Sequence, residues 1–328
     1  MASRASRGAR PPMRRRRPTA ALVPALLASL LIAPPAARPV DAQESGTGWS
    51  DLLDPAGLVR RMLELRFGRS IEFAEVSWQA SPPQILVGSL RVSGEKAGDP
   101  PVLVAASARL PVEPASLLDG VLVMDPMQAE SARWTVSEGV VVELQGLSVR
   151  LEARAQDQPM KFTGAASLAS GGRLRIDGSG RIGGRLDARL ELEDVNLQPV
   201  EKALPRVAKL SGLANGEIRF AGEPDRPEAF AADIALRDTN LVLKDIELER
   251  SLSVRAELRD MVGDEAGGRA RFDVDASLAR LSMGGGAYTK AVGEPATVEG
   301  SLVRDPDGQW RLDAAHLKVG PKAASPGR

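Results

Sequence analysis

The sequence predicts an all-β protein, mainly antiparallel, built as one long curved sheet with a helix at its N-terminal end. Apolar and charged residues alternate with period two over most of the chain beyond residue 70. Clusters of Gly, Pro, Asp and Ser separate the alternating runs at intervals of about 8 to 14 residues, as in an antiparallel meander. Because strands average about five or six residues, this region predicts roughly fourteen to sixteen strands.

Composition removes most enzyme classes. The 328 residues include no Cys, one His and only 3% aromatic residues, so the apolar mass is Leu, Val, Ala and Ile. Without cysteine there are no disulfides, thiolate nucleophiles or cysteine zinc sites. The single histidine, His316, cannot form a multi-histidine metal site alone. We therefore expect no metal, no cofactor and no catalytic site.

The charge distribution argues against a nucleic-acid partner. Residues 1–42 hold eight arginines and one aspartate, so the remainder carries 35 basic against 42 acidic residues, a net charge of −7. Nucleic-acid affinity rests largely on neutralisation of phosphates by Lys and Arg, which a mildly acidic surface does not supply.

The first element, residues 1–42, has the shape of a secretory signal peptide or an N-terminal membrane anchor. Four arginines at 14–17 precede an uncharged run whose most apolar part is 20–33. Val40 and Ala42 are small residues suited to a cut before residue 43, whereas an uncleaved anchor would need the weakly apolar flanks to span a bilayer. Either way the body of the protein is expected to be exported. Residues 43–50 are a linker.

The second element is an amphipathic helix within residues 51–70. Asp54 can cap it, Pro55 suits its first position and Gly68 its left-handed end. An aliphatic stripe with arginines beside it leaves two interpretations, a helix packed on the end of the sheet or a helix lying on anionic lipid. The residues assigned to a membrane-interface helix are Leu58, Arg60, Arg61, Met62, Leu65 and Arg66.

The third element is a β-groove domain over residues 71–320, followed by a disordered tail at 321–328. One break, residues 196–212, can hold a short helix starting near Pro199. The alternation in 185–192 places leucines on one face and charges on the other, and later runs repeat it. The candidate groove-lining residues are Leu186, Leu190, Ile218, Phe220, Ile234, Leu236, Phe272 and Val274.

A sheet with one aliphatic face must bury that face, and the sequence supplies no long amphipathic helices to cover it. A sandwich, a packed barrel and an open trough lined for a ligand all remain possible. An outer-membrane barrel is disfavoured because its aromatic girdles need more Trp, Tyr and Phe than this chain holds. The same scarcity favours a trough facing flexible chains, with an ordinary dry core as the alternative.

The order of these segments resembles the AsmA family of Gram-negative bacteria, which comprises repeating β-groove, bridge-like lipid-transfer proteins. The resemblance begins with the basic, apolar N-terminus and the helix ending in LRFGRS. It continues through the strands of 71–94 and 101–136 and the Leu- and Gly-patterned block 192–243. It covers nearly the whole exported chain, although many relatives are far longer.

The resemblance implies a twisted groove that shields acyl chains, and a role in phospholipid transport or outer-membrane homeostasis. Its expected partner is phospholipid, with the inner membrane and envelope proteins as possible further partners, in a periplasmic location. The alternative is a periplasmic scaffold whose self-packed sheet supports outer-membrane protein assembly. A carbohydrate-active enzyme using carboxylates such as Glu191, Glu193 and Asp194 is a third class, against a solvated strand face.

Overall fold

The computed structural model describes residues 54–67, 69–94, 99–113, 121–137, 140–153, 159–180, 185–201, 207–223, 226–243, 246–259, 269–304 and 310–320. Two helices are present in these ranges, α1 (Pro55–Phe67) and α2 (Gln198–Glu201). The strands are β1 (Ile71–Ala80), β2 (Pro83–Val92), β3 (Leu103–Pro111), β4 (Leu122–Ser137), β5 (Val140–Ala153), β6 (Met160–Leu168), β7 (Arg173–Gly180), β8 (Leu186–Asn196), β9 (Val207–Glu223), β10 (Arg226–Leu243), β11 (Ile246–Arg259), β12 (Arg269–Asp275), β13 (Ala279–Met283), β14 (Tyr288–Lys290), β15 (Ala296–Arg304) and β16 (Trp310–Val319).

All sixteen strands belong to one antiparallel sheet, which confirms the predicted fold class. Each strand from β1 to β12 pairs with the next in sequence, and β15 and β16 complete the order. β13 continues past β12 along β11, and β14 pairs with β13 as a hairpin. The sheet is not closed, since β1 and β16 lie at opposite ends of the strand order. The predicted signal or anchor (1–42), linker (43–50) and tail (321–328) lie outside the described residues.

One face of the sheet is apolar and is called the inner face. It carries Leu190, Ile218 and Ala232, which are cross-strand partners in β8, β9 and β10. Directly opposite residues in an antiparallel pair point to the same face of the sheet. The register therefore shows which residues of the other strands belong to the inner face. The described residues contain no second layer of strands or long helices over this face. The sheet therefore curves so that its inner face covers itself, in three buried clusters along the strand order.

Two bend lines cross the strands and change the phase of the side-chain alternation. The first passes through Glu75, Ser107 and Gly146, with φ of 55°, 52° and 59°. The second passes through Asp194 and Asp238, both with φ of 50°, where the ladder shifts register. At the second line the register shift marks a β-bulge, an extra residue that bends the strand. Along the first line β1, β2 and β3 keep their register, and only the side-chain phase changes. In β2, for example, the inner residues are 85 and 87 before the bend but 90 and 92 after it.

Both helices cap the free edge of a strand with a glutamate. The Ile71 backbone N–H of β1 donates to Glu64 Oε1 of α1 at 2.9 Å. The Leu210 N–H of β9, beyond the last residue of β8 that pairs with it, donates to Glu201 Oε2 of α2 at 2.8 Å. Unpaired edge N–H groups invite pairing with other chains, so these carboxylates block two such positions. α2 also contacts β5, three strands back from β8, and so reaches across that end of the sheet.

Candidate apolar groove

The eight candidate lining residues all lie on the inner face. Leu190 pairs with Ile218, Phe220 lies beside Ala188, and Ile234 pairs with Val254. The ladder continues the same face through the remaining residues, of which Phe272 and Val274 lie in β12. Period-two alternation in β8 to β12 was therefore sufficient to bring these side chains together across five strands.

Burial divides the eight residues into two groups. Leu190, Ile218, Phe220 and Ile234 are buried, and Ile218 is 0% exposed. The other four are half-buried: Leu186, Leu236, Phe272 and Val274. The buried group forms the floor of the groove, and the half-buried group flanks it. The eight side chains carry no hydrogen-bond donors or acceptors, so the contacts that this surface makes are apolar.

Glycines on the inner face let aromatic rings lie across neighbouring strands. A Cβ added at Gly300 would come 2.3 Å from Cζ of Phe272, and one at Gly178 would come 2.7 Å from Cζ of Phe162. The rings thus fill the space that side chains at these glycines would take. Only the register shows that Gly178 and Gly300 lie directly opposite Phe162 and Phe272 on the adjacent strands of the sheet.

Two polar side chains are buried among the apolar residues, and the sequence analysis missed both. Thr239 is 2% exposed at the second bend line, and its Oγ1 makes no hydrogen bond within the described residues. Lys290 is 1% exposed, and its Nζ donates to three backbone carbonyls, those of Ala279 and Ala291 at 2.8 Å and of Ser277 at 3.2 Å. Three acceptors match the three donors of an ammonium group.

The aliphatic side of α1, which the sequence analysis considered for a membrane interface, packs on the sheet in this structure. Leu58, Val59 and Leu63 are buried in the first cluster, and Met62 packs partly against it. Arg60 and Arg61 are exposed on the other side. The side chains of Leu65 and Arg66 lie outside the described residues. Of the two interpretations, the packed helix is the geometry observed, and only its arginine side is presented outward.

The outer face carries a ladder of ion pairs. Arg189 of β8 contacts Glu217 at 2.6 Å and Glu191 at 2.9 Å. The hydrogen bond to Glu217 raises the pKa of Arg189, and hydrogen bonds from Arg219 and Arg189 lower the pKa of Glu217. Of the carboxylates considered for glycoside chemistry, Glu191 is thus paired with Arg189, and Glu193 lies 3.8 Å from Arg173 on the same face. Exposed ion pairs of this kind contribute little to stability, because water and salt screen them.

At the second bend line the outer face is held by Asp194. Its backbone N–H donates to Asn215 Oδ1, and its Oδ1 accepts from Asn215 Nδ2, both at 2.9 Å. Arg237 also donates to this carboxylate. The bond from Asn215 and the charge of Arg237 lower the pKa of Asp194. This cluster ties three strands together where the backbone leaves the regular pleat.

Other site types are not supported by the described ranges. They contain no group of three or more His, Asp or Glu placed to hold a metal ion, and His316 is exposed on β16. No helix in them is long and apolar enough to cross a bilayer. A shallow outer depression of about 370 Å³ is lined mainly by polar groups, including the Asp125–Arg150 ion pair.

Comparisons with known proteins add no identification. No family model matches the chain, and no curated protein or solved structure matches it either.

Proposed function

We propose that this chain is a non-enzymatic envelope protein that binds phospholipid acyl chains along its inner face and acts in phospholipid transport or outer-membrane homeostasis. The observation that carries the proposal is the single open sheet with one aliphatic face. Its half-buried flank, including Leu186 and Val274, supplies apolar surface next to a buried floor. The resemblance to the AsmA family supports the same function.

The energetics of this function need no reacting group. An acyl chain that leaves a bilayer exposes methylenes at about 0.8 kcal/mol each, and an aliphatic groove removes most of that cost. Such contact does not depend on directional bonds, so lipids with different headgroups can share the same floor. Periplasmic location follows from the proposed export of the body of the protein.

The second candidate is a periplasmic scaffold that supports outer-membrane protein assembly through protein contacts. The full burial of Ile218 and of Ile85 favours it, because these positions of the inner face already pack against the protein itself. In this alternative the inner face packs fully against itself as a dry core and binds no lipid.

Mass spectrometry of the protein purified under mild conditions separates the two functions. We expect phospholipid bound at a defined ratio to the wild type and lost in a Leu190→Asp, Ile234→Asp double variant. Because both residues are buried, a milder variant, Leu186→Gln with Val274→Thr, tests the flank in a protein that keeps its floor.

The matched control places the same charges on the outer face. Ala165 and Ala235 are exposed there, so an Ala165→Asp, Ala235→Asp variant should keep both fold and lipid. Circular dichroism verifies that each variant is folded. A stable wild type free of phospholipid would overturn the proposed function and favour the scaffold.

A further inference from the structure

The hairpin of β13 and β14 is depleted of charge. Residues 281–298 hold only Lys290 and Glu294, although 26% of the chain is charged. Both charges are engaged within the hairpin region. The Lys290 ammonium is turned inward onto three carbonyls, and the Glu294 carboxylate accepts the Ala291 N–H at 3.2 Å. The tip itself, 283–288, reads Met-Gly-Gly-Gly-Ala-Tyr, and 284–288 are exposed.

Exposed apolar side chains concentrate around the same hairpin. Among the residues that the structure describes, eight large hydrophobic side chains are exposed, and five of them lie in or beside this region. Leu278 is 63% exposed and Tyr288 37%. Ile246 and Tyr288 lie at the tip end of the hairpin, whereas Leu278, Val292 and Val319 lie at its base. An apolar group of this kind on an otherwise charged surface marks an interaction site.

The register makes this hairpin the end of the groove. Ile246 pairs with Met283, which pairs with Tyr288. The next row along the strands is Leu248, Leu281 and Lys290, and Leu248 pairs with Leu241 of the inner face. The tip residues therefore extend the inner face to the edge of the sheet, and among the described residues the row Ile246, Met283 and Tyr288 that ends it is uncharged.

We propose that the tip of this hairpin docks on the headgroup region of a lipid bilayer and forms the port between that bilayer and the groove. The inference rests on the proposed function. Three glycines present no side chains that a protein partner would recognise, and Tyr288 has the apolar body and polar end that suit a bilayer interface. Because the Lys290 ammonium is turned inward, it adds no charge to the tip, and we expect the attraction to depend on apolar contact and not on anionic lipid.

The test uses the full chain, whose lack of cysteine allows one fluorescent label at a chosen site. An environment-sensitive dye is attached to Ala287→Cys at the tip or to Ala235→Cys on the outer face, both exposed positions. A local probe is needed because the apolar run at 20–33 can itself bind vesicles. Neutral phosphatidylcholine vesicles are added at low and high salt.

We expect the dye at position 287 to shift to the blue and brighten, while the dye at 235 stays unchanged. Raising salt from about 0.1 M to about 0.5 M should leave the shift intact, since neutral contact is not screened. Tyr288→Glu should weaken the response about tenfold because it puts a charge where apolar surface meets lipid. Thr289→Glu, next to it on the opposite face, should retain most of the response.

Three results would overturn the inference. If the emission of the dye at position 287 does not change when vesicles are added, the tip does not dock on the bilayer, and a protein partner is favoured instead. A response abolished by salt would show that charge, and not apolar contact, holds the tip at the vesicle. If Tyr288→Glu and Thr289→Glu weaken the dye response equally, contact of the inner face with the bilayer is not what produces that response. Phospholipid found by mass spectrometry alongside a silent tip would refute the port alone, whereas lipid-free protein would refute the groove.

Discussion

The unpartnered hydroxyl of Thr239 gives a sharp test of how the inner face is packed. Thr239→Val keeps the shape of the side chain and replaces the hydroxyl by a methyl group. A buried polar group without a partner costs about 1–3 kcal/mol, and a buried methyl adds about 0.8 kcal/mol. The side chain lies against Gly212, which has no Cβ and so leaves room for the methyl group. Burial measured against an extended chain overstates the gain, so we use the lower part of the summed range.

We therefore expect Thr239→Val to raise the free energy of unfolding by about 1–2 kcal/mol, which for a protein of this size corresponds to roughly 1.5–3 °C in the melting temperature. Urea unfolding followed by circular dichroism measures it. Thr163→Val is the matched control, because Thr163 is exposed on the outer face and should change stability by less than about 0.5 kcal/mol. A loss of 1 kcal/mol or more, with Thr239→Ser unaffected, would show that the hydroxyl has a partner and that this part of the face is not dry.

Three further predictions concern the glycine contact, the buried lysine and the second bend line. Gly300→Ala should lose about 1–3 kcal/mol in urea unfolding because its methyl meets the Phe272 ring, and Phe272→Leu in the same chain should restore part of that loss. Lys290→Met should cost about 2–4 kcal/mol by leaving three carbonyls unpaired, with faster amide exchange in the turns at 276–278 and 291–295 and no change in β1 to β6. The lowered pKa of Asp194 makes the folded state bind its proton less tightly than the unfolded state, so its contribution is present above the ordinary pKa and is lost as the pH falls. Asp194→Asn should consequently show a smaller drop in melting temperature between about pH 5 and pH 3 than the wild type, and an unchanged drop would contradict this account.

Much of the fold was predictable because the local sequence signals, such as helix caps and apolar–polar alternation, match the strand pairing of the folded sheet. Asp54 accepts the Gly57 N–H at 2.8 Å, as an N-cap should, and α1 begins at Pro55. In β8 to β12 most of the alternation is uninterrupted, so the face of each lining residue follows from its position. The predicted number of strands follows from the turn signals for the same reason.

The phase changes were not predictable from the pattern. Glu75, Ser107 and Asp238 take left-handed conformations that L residues other than glycine seldom adopt, and no local motif announces them. Each reverses the face of the sheet to which the following side chains point. Alternation extrapolated straight through the bend therefore assigns those side chains to the wrong face. The tertiary setting of the whole strand, and not the residue alone, selects the bend.

The buried lysine was hidden for another reason. Lys290 follows a glycine-rich turn and looks like an ordinary surface residue in the sequence. Three carbonyls surround its ammonium group because β13 pairs with β14 and because the turns at 276–278 and 291–295 lie side by side. A contact made by backbone atoms leaves little trace in residue type, so the composition of these turns did not reveal it.

The sequential strand order also bears on how the molecule assembles. From β1 to β12 every new strand pairs with the one made just before it, so the loops to be closed stay short and the entropic cost of each step is small. A chain that emerges N-terminus first can therefore grow its sheet by one strand at a time. At each stage the growing edge is the newest strand, and this order leaves the earlier ones already paired while synthesis continues.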